Sequence, residues 1–581
     1  MSVKIELLKE LEQIKDIISK NSNLIDNSKA EIFIQLAKDI KEFKVYLPLI
    51  GNFNAGKSSI LNALLEDENL LPTDGVLPKT AIATEIIYDS KNERIEAYNF
   101  KSDKVIATFN DLESLKSESI EEYGYLKLYK DSNFLSQNHN IVFVDMPGLD
   151  SNIDRHNSQI LNYIQKDAIS FIVIIDVVDG TIKDSTLRFI EEINSYKLDF
   201  FVLINKSDKK PYSELKKIQE SIQNQLLRYT DTPFVGVITT FDEDINDIKA
   251  IVSKIDKDRY IKTIFLEKIV SNINKVIQDL EIRKNSIQMD TSEIDKKIEQ
   301  FIDGLYEFDK SLKIEKQTIE NRFSTNTSTK ILNDIQKSLE QNIDRLITSL
   351  KTSEDSFQTT INEIIRPVIV RSINKYTEQE FSLTLQNLEA VKNDIFVDIS
   401  DFLDKGKSAI DMVSDIIKHT PLLLQIPALA KLLKILMTKI NPIVAIISTI
   451  VSIASTFFGK SKEEQEREAH EQMRHNIKNH TIPEIIINLE STIIDILETI
   501  KEEFFIEIEK SINQQKEELL SSLNMAKEEK ERYKSEINKK IDDFKSLISQ
   551  FNDSIERVTM IKQKTKQEIY HATDHTVRYK Q

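Results

Sequence analysis

VYLPLIGNFNAGKSSILNALL, residues 45–65, decides the fold of the N-terminal half of the chain. It begins with an apolar run, Val45–Ile50, that predicts a buried strand, and it ends with apolar residues at helical spacing, Ile60, Leu61, Ala63 and Leu64. The loop between them, Gly51–Ser59, fits the pattern G-x-x-x-x-G-K-[ST]. A strand before this pattern and a helix after it are the context that supports a phosphate-binding loop.

This loop supplies groups that bind phosphate and magnesium. Its backbone N–H groups and the N-terminus of the following helix would surround the phosphates. Lys57 would reach the β- and γ-phosphates, and the Ser58 hydroxyl would hold Mg²⁺. The predicted nucleotide contacts of the loop are Gly51, Asn52, Asn54, Ala55, Gly56, Lys57, Ser58 and Ser59.

A second motif, Asp145–Gly148, directly follows the apolar run Ile141–Val144. A carboxylate at the end of that strand can bind Mg²⁺ through water. The N–H group of Gly148 can sense a γ-phosphate. We therefore expect Asp145 and Gly148 to face the phosphate-binding loop.

A third motif, Asn205–Asp208, follows the apolar run Phe200–Ile204. The Asp208 carboxylate can accept hydrogen bonds from the N1–H and 2-amino groups of guanine, which adenine does not offer. Asn205 and the stem of Lys206 would frame the base. Open α/β sheets bind ligands at the C-terminal ends of their strands, so three such motifs in order predict a guanine-nucleotide site.

The composition divides the chain of 581 residues, which holds 10 glycines, 11 prolines and no cysteine. Without cysteine there is no disulfide framework, thiolate zinc site or cysteine nucleophile. The net charge of −17 argues against a generic nucleic-acid binder, and we expect no nucleic-acid partner. Seven glycines lie in residues 51–236, whereas residues 237–366 hold one glycine and no proline. This distribution predicts a loop-rich α/β head within a mostly helical protein.

The predicted fold class is an α/β head, with a mostly parallel sheet flanked by helices, plus an elongated all-α stalk with a hydrophobic tip. Apolar runs at Phe171–Ile175 and Phe234–Ile238 complete the predicted parallel strands. Three shorter segments, Glu85–Tyr88, Arg94–Phe100 and Val105–Phe109, are typical of a β-meander. In the stalk, apolar spacings of three and four predict long bundled helices. The predicted domains are an N-terminal helix packing with the neck bundle (1–44), the head (45–265), neck and trunk helices (266–404), the hydrophobic tip (405–460) and returning trunk and neck helices (461–581).

Residues 405–460 are the most apolar part of the chain, and their prolines and glycines break them into short pieces. Seven lysines against two aspartates give this segment a charge of +5. Its run Ile443–Phe458 would be about 24 Å long as a helix, too short to cross a bilayer. The flanking lysines favour anionic head groups, so we expect a membrane-inserting paddle over about 421–458. A buried helical hairpin and a surface for a protein partner are the alternatives.

The order of the three motifs, with an enlarged segment between the first two, resembles GTPases of the dynamin superfamily, and bacterial dynamin-like proteins in particular. The segments that carry the resemblance are GNFNAGKSSILNALL (51–65), LPTDGVLPKTAIATEI (71–86) and VDMPGLDS (144–151). The likeness covers residues 45–265 by motif and the rest of the chain by architecture. It implies a GTPase head that binds GTP or GDP with Mg²⁺.

The resemblance also assigns residues beyond the three motifs. Thr80 corresponds to the switch I threonine, whose hydroxyl and carbonyl face Mg²⁺ and the attacking water, and Thr84 is the alternative. Thr239 falls where the family has a base-contacting motif. The predicted catalytic residues are Asn54, Lys57, Ser58, Thr80 and Gly148, and the predicted metal ligands are Ser58, Thr80 and Asp145.

Two positions depart from the patterns of related GTPases. Many dynamins have a glutamine at the position of Phe53, and many small GTPases have one at the position of Leu149. Without a side chain that orients water, we expect slow intrinsic hydrolysis in the absence of a partner, lipid or dimerisation. Asn54 matches an asparagine that ligates a monovalent cation in potassium-activated GTPases, which makes K⁺ a candidate cofactor. The alternative is that Asn54 is a tolerated loop residue.

These features predict a GTPase that couples hydrolysis to membrane binding, remodelling, fusion or fission. The expected partners are membrane lipids and either a second copy, through the head, or a related dynamin-like protein. The N-terminus lacks the apolar region of a signal peptide, so we expect a cytoplasmic protein that associates peripherally with membranes. The alternative is a guanine-nucleotide-binding helical scaffold with little intrinsic turnover that acts through protein partners.

Overall fold

The structure is a computed structural model of the chain. It describes residues 2–52, 54–68, 70–72, 82–99, 104–110, 112, 123–148, 163, 169–195, 198–230, 233–238, 246–287, 289–400, 462–532 and 536–576.

Within these residues, nine strands form the sheet of the head, in the order β4-β3-β5-β2-β6-β1-β7-β8-β9. The strands are β1 (Val45–Gly51), β2 (Thr84–Tyr88), β3 (Arg94–Tyr98), β4 (Val105–Phe109), β5 (Tyr125–Lys130), β6 (Ile141–Asp145), β7 (Ser170–Asp176), β8 (Asp199–Asn205) and β9 (Val235–Val237). The strands β6, β1, β7, β8 and β9 run parallel to one another, and β2 runs antiparallel to β6. The predicted mostly parallel sheet is therefore confirmed.

The prediction of a meander from β2, β3 and β4 is wrong for β2. β3 and β4 do pair antiparallel, but β2 pairs in parallel with β5, a strand that the sequence analysis missed. β5 also pairs with β3 and so separates β2 from the hairpin. Its signal in the sequence was weak because the segment YLKLYK has only six residues and its apolar and polar residues do not alternate regularly.

Helices cover both faces of the sheet and continue into the stalk. The head helices are α3 (Lys57–Leu64), α4 (Asn133–Gln137), α5 (Asp184–Ser195), α6 (Tyr212–Leu226), α7 (Asn246–Lys254) and α8 (Lys257–Ile261). The others are α1 (Val3–Lys20), α2 (Ser28–Glu42), α9 (Glu267–Ser286), α10 (Thr291–Arg322), α11 (Ser328–Gln341), α12 (Ile343–Thr352), α13 (Glu354–Ser400), α14 (Lys462–Asn476), α15 (Ile482–Arg532) and α16 (Ile537–Thr576). Single π-helical turns connect α8 to α9, α10 to α11 and α14 to α15. The predicted long stalk helices are therefore present.

The N-terminal segment, predicted as one helix, contains two, α1 and α2. The break begins at Asn21, whose N–H group bonds to the Ile18 carbonyl as α1 ends. Along α1, four apolar residues at the heptad spacing that predicts a helix with one buried face are indeed buried: Leu7, Leu11, Ile14 and Ile18. Two hydrogen bonds of 2.8 and 2.9 Å from Arg557 to Glu10 join α1 to α16.

The trunk, which we define as α10 to α15, lies beside the neck, which we define as α9 and α16. Ser522 of α15 donates a hydrogen bond to Asp279 of α9. Seven residues further along α15, Glu529 accepts hydrogen bonds from the buried Arg283, which lies four residues further along α9. Because these contacts follow the same order in both helices, α15 and α9 run in the same direction. Since α9 leads away from the head, α15 begins on the side of the head, and the stalk is folded back.

The folded-back trunk touches the head at what we call the trunk tip, residues 343–366. Arg366 of the trunk tip forms an ion pair with Glu192 of α5, with contacts of 2.7 and 2.8 Å. A second pair joins Arg188 of α5 to Glu363 at 2.6 Å. One contiguous core contains buried aromatic side chains from both sides of the contact, Phe189 and Phe357.

The hydrophobic tip at 405–460 lies outside the described residues, so the paddle over about 421–458 stays a prediction. Among the helices that the structure describes, none is both long and apolar enough to cross a bilayer.

The contact between trunk tip and head gives a testable prediction. Arg366→Glu places a second carboxylate against the shielded Glu192, and we expect this to cost about 3 kcal/mol, as for breaking a buried ion pair. The trunk tip then leaves α5, and the radius of gyration measured by small-angle X-ray scattering increases. The double variant Glu192→Arg/Arg366→Glu restores the pair and should restore the compact shape.

Arg474→Glu is the matched control, because Arg474 pairs with Asp344 in the trunk and both side chains are largely exposed. An unchanged radius of gyration for Arg366→Glu would show that these ion pairs do not hold the trunk against the head.

Candidate nucleotide-binding site

The phosphate-binding loop joins β1 to α3 and leaves no room for side chains at its two glycines. A Cβ atom at Gly51 would lie 2.5 Å from the Ile174 carbonyl oxygen of β7. Gly56 has a φ of +90°, and a Cβ atom there would clash with the amide of Asn205. Glycine is therefore required at both positions, by close approach at the first and also by backbone conformation at the second.

The ammonium group of Lys57 lies over the loop. It donates hydrogen bonds of 3.0 and 3.1 Å to the carbonyl oxygens of Gly51 and Asn52. Lys57 is the first residue of α3 and is only 8% exposed. The fold thus places a positive charge beside the N–H groups at the start of a helix, an arrangement suited to phosphate.

The second motif meets the loop through a hydrogen bond from Ser58 to Asp145. The Ser58 hydroxyl donates to Oδ2 of Asp145 across 2.6 Å. Asp145 ends β6, the neighbour of β1, which explains how residues 87 positions apart come together. Oδ1 of Asp145 is buried and has no hydrogen-bond partner among the described residues.

Burial raises the pKa of the Asp145 carboxyl, and this effect outweighs the hydrogen bond from Ser58 and the charge of Lys57, which lower it. A buried carboxylate oxygen without a partner, next to a hydroxyl, is a donor set that suits Mg²⁺. These two residues therefore fit the predicted metal site. Thr80, the third predicted ligand, lies outside the described residues.

The third motif lies on the other side of the loop. The fully buried Asn205 donates a hydrogen bond of 2.9 Å to the Ala55 carbonyl. Lys206, with a φ of +61°, donates to the carbonyl of Asn54. Asp208 lies in the exposed turn Ser207–Lys209 that follows β8. The third motif is thus joined to the phosphate-binding loop by hydrogen bonds from two side chains, Asn205 and Lys206.

Asp176, the last residue of β7, lies beside the third motif but was not among the predicted site residues. Its carboxylate forms an ion pair of 2.7 Å with Lys206, and in the sheet Asp176 is paired with Asn205. Burial raises the pKa of Asp176, but hydrogen bonds from Lys206 and from the Val178 N–H group bring it below its ordinary value. The available signal was an acid at the end of the apolar run FIVIID.

The remaining predicted residues divide between described and undescribed parts of the chain. Gly148 is buried just after β6, as the second motif requires. Thr84 is a buried residue of β2 that is paired with Asp145, and its hydroxyl lies 3.5 Å from the Ile82 carbonyl. The predicted positions outside the described residues are Phe53, Thr80, Leu149 and Thr239.

Comparison with known proteins finds relatives of the segment that contains these motifs. Residues 47–207 match the model of the Dynamin family. Dynamin-like protein A of Bacillus subtilis is 25% identical over 248 residues, which are 40% of this chain and 19% of that protein. The Arabidopsis thaliana protein "Probable transmembrane GTPase FZO-like, chloroplastic" is 24% identical over 214 residues, 36% of this chain and 20% of that protein. The matches span about a fifth of the length of these curated relatives.

Solved structures of bacterial dynamins match over most of this chain, at low identity and with TM-scores below 0.5. A structure described as an oligomerised bacterial dynamin pair for sensing and tethering of membranes has 14% identity and a TM-score of 0.38. The match covers 95% of this chain and 82% of that one. LeoA, a bacterial dynamin GTPase from ETEC, has 12% identity and a TM-score of 0.30 over 95% of this chain and 98% of its own.

The segment matched by the family model contains the phosphate-binding loop, the second motif and the start of the third. The part of the head over residues 47–207 is therefore similar to the Dynamin family. This similarity confirms the resemblance seen in the motifs.

Asp145→Asn should raise the stability of the ligand-free protein and weaken its binding of Mg²⁺. A carboxyl whose pKa is raised by folding destabilises the folded state once it ionises, so stability declines as the pH rises above about 3.8. We expect ligand-free Asp145→Asn to unfold at a higher temperature than the wild type at pH 7, and we expect this difference to shrink toward pH 4.

In the presence of GDP and Mg²⁺ at about 100 times Kd, the wild type should gain about 2.7 kcal/mol of stability. Asp145→Asn should lose most of the part of this gain that depends on Mg²⁺. Scanning calorimetry with and without Mg²⁺ measures both effects. Equal stabilisation of both proteins by Mg²⁺ with GDP would remove Asp145 from the metal site.

Proposed function

We propose that this chain binds and hydrolyses GTP in the head and couples hydrolysis to membrane binding and remodelling. The convergence of three separate segments around one loop carries the nucleotide part of the proposal. Ser58 contacts Asp145, and Asn205 contacts the backbone of Ala55. Groups suited to phosphate, metal and base thus meet around one loop.

Each motif has a distinct part in this proposal. Lys57 and the loop N–H groups neutralise the phosphates, and the N–H group of Gly148 responds to the γ-phosphate. The Asp208 carboxylate selects guanine by accepting hydrogen bonds from the N1–H and 2-amino groups of the base. Ser58, Asp145 and Thr80 would hold Mg²⁺, which when bound supplies positive charge to the β- and γ-phosphates.

Thr80 is the better candidate for the switch I threonine. Thr84, the alternative, is a buried residue within β2, paired with Asp145 in the sheet. A residue fixed in a strand cannot approach and leave the nucleotide as a switch residue must. Thr239 completes the base site in this proposal.

The membrane part of the proposal rests on the sequence of residues 405–460. A lysine-flanked apolar segment of this kind favours insertion among anionic lipids. We place the protein in the cytoplasm, at the membrane surface, with a second copy or a related dynamin-like protein as its partner through the head. Phe53 and Leu149 stand where water-orienting glutamines occur in related proteins, so such a partner, or lipid, would raise a slow basal rate.

GTP turnover and liposome binding test the two parts separately. Lys57→Ala should abolish GTP binding, because it removes the charge that the loop holds over the phosphate site. Ile447→Asp should leave GTP binding unchanged and reduce co-sedimentation with liposomes of anionic phospholipid by about tenfold, since it puts a charge into the apolar run.

Ile487→Asp is the matched control, because Ile487 is an isoleucine of α15 that is already 70% exposed. If Ile447→Asp sediments with liposomes as the wild type does, the paddle assignment fails. If GTP binds but no turnover occurs with or without liposomes, the helical scaffold that acts through protein partners is the better description.

Potassium dependence tests the role of Asn54. Asn54 has a φ of +63°, a conformation that asparagine adopts more readily than most residues, so its backbone alone accounts for the residue type. We propose that its side chain also ligates K⁺. Hydrolysis in potassium should then exceed that in sodium by about tenfold or more, a small part of what an arginine finger provides.

Asn54→Gly preserves this backbone conformation and removes only the side chain. It should retain GTP binding and lose the difference between the two cations. If potassium stimulates Asn54→Gly as it stimulates the wild type, Asn54 serves the loop conformation alone.

A further inference from the structure

Lys206 of the third motif is held at its ammonium end by two acceptors from different parts of the head. One is the carbonyl oxygen of Asn54 in the phosphate-binding loop. The other is Oδ2 of Asp176, at 2.7 Å. The side chain therefore bridges β8 to both the loop and the end of β7.

Asp176 is itself fixed at two points. Asp176 is the last residue of β7, which lies between β1 and β8 in the sheet. It is paired there with Asn205 of β8. Its Oδ1 accepts a hydrogen bond of 3.0 Å from the Val178 N–H group, which sets the orientation of the carboxylate. Each carboxylate oxygen thus has its own donor, and the one that faces Lys206 has a defined position.

The ion pair is also partly shielded from water. The side chains of Asp176 and Lys206 are each 20% exposed. The pKa of Asp176 is lowered by its hydrogen bonds in spite of burial, so the carboxylate is ionised at neutral pH. The charge of Lys206 is therefore compensated within the protein, and what it offers the site is the position of its stem.

We propose that Asp176 is a positioning residue for guanine recognition. It holds Lys206 extended from β8 to the phosphate-binding loop, so that the stem of Lys206 forms a fixed wall beside Asp208. In this proposal Asp176 acts through Lys206 and not on the phosphates or the metal. This inference rests on the proposed binding of GTP.

The test compares a ligand with a base and a ligand without one. Asp176→Ala should lower the affinity for GDP by about tenfold or more, the fold-change expected for loss of a hydrogen bond to a charged group. Its affinity for inorganic tripolyphosphate, which needs only the loop, should stay within about twofold of the wild type. Isothermal calorimetry with Mg²⁺ present measures both.

Asp179→Ala is the matched control. Asp179 lies three residues further on and forms an ion pair of 3.1 Å with Lys183, whose side chain is 48% exposed. It should bind both ligands as the wild type does. Lys206→Ala provides a second check, since Asp176→Ala should cause no further loss of GDP affinity in that background.

Three outcomes would overturn the proposal. Unchanged GDP affinity in Asp176→Ala would show that Lys206 needs no such support. An equal loss for GDP and tripolyphosphate would place the effect in the loop, and additive losses with Lys206→Ala would show that Asp176 acts independently of Lys206. Failure of the wild type to bind any guanine nucleotide would instead refute the proposed function.

Discussion

Parallel pairing of β1 with β6 on one side and β7 on the other is the constraint on which the site depends. Parallel strands end at the same edge of a sheet, so the chain segments that follow β1, β6 and β8 meet there although up to 150 residues separate them. The close approach of Gly51 to the Ile174 carbonyl shows how tightly this edge is built. A larger residue there would separate β1 from β7 and with it the loop from the base-binding motif.

The buried charges of the molecule fall into two kinds. The charge of Arg283 is compensated, because Glu529 and the Leu24 carbonyl accept its hydrogen bonds. These contacts join the neck to the trunk and to the N-terminal segment. Asp145 keeps one oxygen without a partner among the described residues, although such a group costs about 1–3 kcal/mol. Stability alone would favour a neutral residue at that position. A carboxylate there is understandable when a cation completes its coordination, as at many functional sites that break a local rule.

Local patterns predicted much of this structure, and long-range pairings did not. The loop Gly51–Ser59 and the buried heptad of α1 could be predicted because their signals lie within a few residues. Strand β5 and the ion pair of Asp176 could not, because each is defined by a partner elsewhere in the chain. The folded-back stalk was equally invisible, since Arg366 and Glu192 are 174 residues apart and neither interrupts the helical pattern around it. The residues 405–460 remain a prediction from composition and charge.

Helix α5 contacts both the phosphate-binding loop and the trunk tip. Near its start, Thr186 is buried and its hydroxyl lies 3.5 Å from the side-chain oxygen of Asn52 in the phosphate-binding loop. Near its end, Glu192 holds Arg366 of the trunk tip. Six residues of helix, about 9 Å, separate these contacts. The phosphate-binding loop and the trunk tip therefore lie against opposite ends of one helix. A coupling between nucleotide and stalk needs no longer path than this, because the folded-back trunk already rests on the helix that supports the loop.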